Sequence, residues 1–274
     1  MEEKKYCYKH PHPAVTTDCV VFGVDGDKLK ILLIERGNEP YIGYWAFPGG
    51  FLNMDENATQ GALRELAEET GLRLDHIKEF GTFTDVNRDP RERVISIAFY
   101  ALIDKAVVKG GDDAAKAQWF AINELPPLAF DHNIMLKKAQ QKLKEDLMKR
   151  ITPNFIHTLN NNEIFVFGSN LEGAHGGGAA RIAVDKFGAI WGQGVGLQGQ
   201  SYGIPTMHGG VDTIKPYVDD FIAFAKQHPE MTFLVTKIGC GIAGFRIDEI
   251  APLFAGAVNV ENIHLPQEFW DELI

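Results

Sequence analysis

Cysteine is scarce. Cys7, Cys19 and Cys240 are the only three in 274 residues, and no two of them share a C-x-x-C spacing. Neither a disulfide framework nor a structural zinc site is therefore expected, and the thiols should be reduced and mostly buried. No apolar run approaches the roughly 18 to 20 residues that a membrane-spanning helix needs, so no membrane partner is expected. Positive charge is in deficit: 27 Lys and Arg stand against 37 Asp and Glu, a net charge of −10. A field of that sign repels a nucleic-acid backbone, and nucleic acid is not expected as a partner. The opening MEEKKYCYKHPHP has no apolar core ahead of a small-residue cleavage site, which argues against a secretory signal and for a cytoplasmic location. Internal repeats and low-complexity tracts are also missing. What is present, 45% hydrophobic and 23% charged residues, suits a globular chain, and its length suggests about two domains.

The pattern along the chain gives the fold class as α/β. In the first half, β-branched apolar runs at Thr16–Phe22 and Lys30–Ile34 flank an Asp25-Gly26-Asp27 hairpin signal. Val94–Ile103 and Gln118–Phe120 read as further strands, and Asn57–Thr70 reads as a helix closed by Gly71. Ile134, Met135, Ala139, Leu143 and Leu147 recur at helical spacing between Lys137, Lys138, Lys142, Lys144 and Lys149, an amphipathic helix with a solvated basic face. Thr152-Pro153-Asn154 breaks that pattern, placing a boundary near Arg150: a mixed-sheet domain over 1–150 and a layered α/β domain over 151–274. In the second half, strands at Ile164–Phe167 and Thr232–Ile238 alternate with helices at Gly178–Lys186, Val218–Gln227 and from Asp248 to Phe254.

The segment Arg64-Glu65-Leu66-Ala67-Glu68-Glu69 is the most informative. Residues three and four apart share a helix face, so Glu65, Glu68 and Glu69 bring three carboxylates together. Clustered hard oxygen donors suit Mg2+ or Mn2+, which bind carboxylates alongside substrate phosphates. An acidic solvent-facing helix is the plainer account of these glutamates alone.

Gly50, Glu56, Arg64, Glu65, Glu68, Glu69 and Gly71 together resemble the Nudix signature at every fixed position. The resemblance covers about Val15 to Arg150 and implies a hydrolase acting on a nucleoside diphosphate linked to another group. It implies Glu65, Glu68 and Glu69 as ligands of Mg2+ (or Mn2+) that activates water, Arg64 as an orienting partner for a carboxylate, and Glu56 as an outer ligand. Gly50 would supply a conformation that other residues resist. The stretches Ala14–Cys19, Asn87–Val94 and Leu128–His132 resemble the branch of ADP-ribose pyrophosphatases and regulators of NAD metabolism. Arg88, Arg91 and Arg93 could engage phosphate or ribose, with plain surface charges as the alternative. That branch implies ADP-ribose as the small-molecule partner, turned over or, alternatively, only sensed. The sequence leaves room for a homodimer.

Two glycine-rich turns follow apolar strands in the second half: Gly168 to Gly178, with Asn170, Gly176 and Gly177, and Gly239 to Gly244, with Gly241, Ile242 and Ala243. Exposed amides at such turns favour anions. The pair, with Ser201–Thr206 between them, resembles the phosphate loops of macro domains over about Asn161 to Ala257, which implies ADP-ribose binding. Asn170 could meet a ribose, His175 a phosphate or open solvent, and Cys240 reads as a small buried apolar residue rather than a nucleophile.

Overall fold

Two long apolar segments buried on both faces form the centre of the first sheet: β1 (Ala14–Asp25) and β2 (Lys28–Arg36). A computed structural model describes residues 8–25, 28–108 and 114–273; Cys7, Gly26 and Asp27 lie outside them. Short strands β3 (Trp45–Ala46) and β4 (Gly49–Phe51) follow, then helix α1 (Ala58–Thr70), β5 (Lys78–Phe83), β6 (Val94–Asp104), β7 (Ala114–Ala121) and α2 (His132–Met148). The strands run in the order β3-β2-β1-β6-β5, with β4 paired to β1 and β7 to β2. Helix α1 lays Ala62 and Leu66 on Cys19, Val21, Leu32 and Phe99 to make the core.

The ends of α1 are written in its sequence. The Asn57 side chain accepts from Gln60 N–H while the Gln60 side chain accepts from Asn57 N–H, a closed capping box. Gly71 ends the helix at φ 71°, a left-handed position that favours glycine. In α2, Met135, Ala139, Leu143 and Leu147 are buried as expected, but Ile134 is 56% exposed and Leu136 takes its place inside.

The second sheet is built from β8 (Glu163–Ser169), β9 (Gly196–Gln198), β10 (Ser201–Pro205), β11 (Thr232–Val235) and β12 (Ile263–His264), in the order β12-β11-β8-β10-β9. Neighbours β10/β8, β11/β8 and β11/β12 are parallel, and β9 is antiparallel to β10. Helices α3 (Gly178–Phe187), α4 (Val211–Gln227), α5 (Ile247–Ile250), a 3-10 segment at Ala251–Ala257 and α6 (Gln267–Leu273) complete it. Helix α4 begins seven residues before the expected Val218 and takes Pro216 into its interior; a proline there lacks the N–H for one intrahelical bond.

The described residues fall into two compact units, one within Met1–Gly23 and Leu29–Lys142, the other within Val24–Lys28 and Leu143–Ile274. The division lies inside α2. Arg150 belongs to the second unit, where its guanidinium donates to the carbonyls of Val258 and Val260 and stacks 4.8 Å from the Trp270 ring. Cys19 is fully buried, with burial pushing its thiol up to about 12, whereas Cys240 is only half-buried.

Candidate active site

Pairing of Thr17 with Gly50 and Asp18 with Gly49 brings β4 flush against β1. This closeness explains the double glycine. A Cβ on residue 49 would stand 2.2 Å from the Thr17 carbonyl, and one on residue 50 would stand 2.5 Å from the Glu65 carboxylate. Gly50 has no left-handed φ, so its role is space rather than the unusual conformation expected of it.

The two glycines and α1 border a cleft of about 340 Å³, whose lining includes Asp18, Arg36, Phe51, Arg64, Glu65, Glu69, Arg88, Arg91, Phe130 and His132. Arg64 organises its acidic side. Its Nε and Nη2 donate to the two oxygens of Glu56 at 2.9 and 2.6 Å, and Nη1 donates to Glu65 at 2.8 Å and Glu68 at 2.9 Å. The bidentate Arg64 contact holds the Glu56 carboxyl down at about 2. At Glu65 burial raises the pKa against the pull of Arg64. Glu69 is buried and its Oε2 accepts from Gly49 N–H at 2.8 Å. Glu68 is half-exposed and lies outside the cleft lining.

Among the described residues no three His, Cys, Asp or Glu side chains converge as a ready metal centre. Arg64 instead pairs with Glu56, Glu65 and Glu68. The donor set nonetheless fits a hard divalent ion: Glu65, Glu68 and Glu69 offer carboxylate oxygens on one helix end, and Gly50 leaves the Glu65 head uncovered on its side. Both oxygens of Glu56 are bonded by Arg64, and Oε1 also accepts from Asn53 N–H.

The opposite wall is cationic and aromatic. Arg88 is buried and bidentate on Asp131, and Arg91 is bidentate on Asp89. Burial works against the Asp89 charge, but the Arg91 hydrogen bonds outweigh it and hold its pKa low. Arg93 lies outside the lining and donates to the Thr84 and Asp85 carbonyls. Arg36 donates to the carbonyls of Pro40 and Asn38. Burial, then the nearby Arg91 charge, lowers its pKa. Between them lies Phe130, with Arg36 at 4.9 Å and Arg91 at 5.7 Å from its ring, in a strained backbone position at φ 51°. Asp18, Arg36, Phe51, Phe130 and His132 were not singled out as site residues by the sequence; the Ala14–Cys19 and Leu128–His132 stretches were its only signal for three of them.

In the second unit both glycine turns line one cavity of about 370 Å³, bounded by Asn170, Gly176, Gly177, Gly178, Gly241, Ile242 and Ala243 among others. It lies where β8, β10 and β11 end, and Gly177 caps α3 with no side-chain hydrogen bond. Asn170 uses its amide on the loop, donating to the Ala174 carbonyl and accepting from Ala174 N–H. Gly244 is outside the lining and closes the turn, its N–H on the Gly241 carbonyl. His175 is fully buried, with Nε2 on the Gln193 carbonyl, so it is neither a solvent-exposed loop residue nor part of the lining. A neighbouring cavity of about 700 Å³ shares Gly178, Ala179, Thr236 and Lys237 and is walled by Phe155, Ile156 and Ile182.

The first unit is thus an α/β domain in which an acid-bearing helix faces a guanidinium wall across an open cleft. The NUDIX domain family matches residues 12–139. An ADP-ribose pyrophosphatase of Methanocaldococcus jannaschii is 43% identical over 127 residues, 46% of this chain and 72% of that protein. The ADPR responsive transcriptional repressor NtrR of Acinetobacter baylyi is 33% identical over 175 residues, 60% of this chain and 70% of that protein. The NUDIX domain of Shewanella oneidensis NrtR complexed with ADP ribose matches with a TM-score of 0.47 and 30% identity, covering 49% of this chain and 90% of that one. The chain belongs to the Nudix family and is a Nudix hydrolase. Among the described residues no helix is long and apolar enough to cross a membrane.

Proposed function

We propose that the chain hydrolyses the diphosphate of ADP-ribose or a closely related nucleoside diphosphate compound in the cytoplasm, using Mg2+ or Mn2+. The observation that carries this reading is the complete Arg64–Glu69 helix facing a cleft whose other wall is built of Arg36, Arg88 and Arg91. The similar ADP-ribose pyrophosphatase supports the substrate. Glu65, Glu68 and Glu69 would hold the ion, which when bound neutralises phosphate charge and lowers the pKa of water. Gly49 N–H fixes Glu69, and Glu56 fixes Arg64, which makes Glu56 a support for the arginine rather than an outer ligand. Arg36 and Arg91 present positive charge to the anionic end of the substrate.

The second unit, in this reading, binds the same class of ligand. Its glycine turns let a diphosphate approach the start of α3, and the apolar cavity beside them has room for a nucleoside. A sensing role with little turnover is the second reading, favoured by the similarity to an ADPR responsive repressor. AMP release from ADP-ribose by the full chain, with Mg2+, with Mn2+ and with a chelator, separates the two. Metal-dependent AMP release at several turnovers per second supports hydrolysis; tight binding with no AMP after an hour supports sensing.

A further inference from the structure

We propose that His132 is the positioning residue for Glu69, acting through the backbone of residues 47–49 by offering an unprotonated Nδ1 to the Phe47 amide. This rests on the reading of Glu69 as a metal ligand. The segment is gripped at each residue. Phe47 N–H donates to His132 Nδ1 at 3.0 Å, and the two rings stack 4.9 Å apart at 11°. The Pro48 carbonyl accepts from Cys19 N–H at 2.8 Å. Gly49 pairs opposite Asp18 and donates its own N–H to Glu69 Oε2 at 2.8 Å. Glu69 Oε2 accepts from that amide, so a shift of the strip carries this oxygen with it. His132, from the start of α2, fixes the other end of the three-residue strip.

The ring can do this in one state. Phe47 brings the proton to their hydrogen bond, so Nδ1 must be bare and the imidazole proton must sit on Nε2. Nε2 faces Asp18 Oδ1 across 3.5 Å, and Asp18 Oδ2 accepts from the Ser96 hydroxyl, an arrangement that orients the carboxylate to receive that proton. The charged groups around the ring are Asp18, Asp131, Arg88 and Arg36. Burial is the largest influence and holds the pKa down, which keeps the ring neutral. A second proton would go to Nδ1 and meet the Phe47 N–H head on. The arrangement matches the way outer partners of metal ligands set ligand geometry elsewhere in protein chemistry.

The test uses two full-length variants that differ in which ring nitrogen they imitate. His132→Asn keeps an acceptor near the Nδ1 position, whereas His132→Gln reaches toward Nε2 and leaves Phe47 N–H without one. Mn2+ affinity of the substrate-free protein, read by electron paramagnetic resonance, should fall about 10- to 100-fold in the Gln variant. It should stay within about threefold of wild type in the Asn variant, while KM for ADP-ribose changes little in either. Equal affinities in the two variants would overturn the proposal. The ring nitrogen shifts of the wild-type protein supply a reading that no variant can spoil: a protonated Nδ1 at neutral pH would also overturn it. Glu69→Gln serves as the control, because unchanged Mn2+ affinity there sinks the metal-ligand reading itself and not merely the role of His132.

Discussion

Both oxygens of Glu56 lie on Arg64, while Glu69 takes its position from a backbone amide. These two carboxylates should therefore respond to different experiments. Glu56 has a pKa of about 2 in the fold against an ordinary value of 4.5. Between those values the unfolded chain binds more protons, so the stability due to Glu56 is complete above 4.5 and is lost as pH falls through about 2. Urea midpoints for wild type and Glu56→Gln should accordingly differ near pH 6, and the gap should shrink to about a quarter of that near pH 2.5. If the gap stayed constant over that range, the Arg64 contact would not be what depresses the pKa. Glu69→Gln should keep the fold and lose hydrolysis by roughly 10²-fold or more, the scale on which a main transition-state stabiliser acts. Steady-state rates of AMP release from a variant with an unchanged melting temperature check this.

Helix α1 was the most legible element, because its capping box, its Gly71 stop and its glutamate spacing are all local signals. Asn57→Ala should lower stability by about 1 kcal/mol, measured by urea unfolding, since it removes the acceptor for Gln60 N–H. The partners of that helix were less legible. The motif implies that Arg64 orients one of the helix glutamates by a bidentate pair, whereas its bidentate partner is Glu56, and Arg88 finds Asp131 43 positions away. Arg88 and Arg91 looked like free phosphate binders because their carboxylate partners are invisible without the fold. Gly50 is expected from the motif as a conformational device, yet the reason for the double glycine is the 2.2 and 2.5 Å approaches that a Cβ would make to β1 and to Glu65. Short strands such as β3, β9 and β12 carry too few residues for a period to register. Helix α4 starts at Val211 rather than at the expected Val218.

For the whole chain, the proposal of two ligand sites of one chemical class predicts a stoichiometry. In a hydrolysis-deficient Glu69→Gln background, calorimetry with ADP-ribose should count two sites per chain, and adding Gly177→Val should remove one. A Cβ at 177 meets only the Ile242 side chain, at 3.4 Å, so the bulk of valine falls in the cavity rather than on the core. A count of one that Gly177→Val leaves unaltered would mean that those glycines serve packing. The arginine at the centre of the acidic helix has its own consequence at this scale. Small domains that depend on a dissolved ion for folding collapse when it is chelated, but here the guanidinium of Arg64 is a counter-ion carried by the polypeptide itself. Chelation should extinguish turnover while moving the melting temperature by less than about 2 °C, on the scale by which small free-energy changes shift it in domains of this size. On that expectation the protein could be stripped, stored and reloaded, the charge of its acidic helix partly offset throughout by a cation that cannot diffuse away.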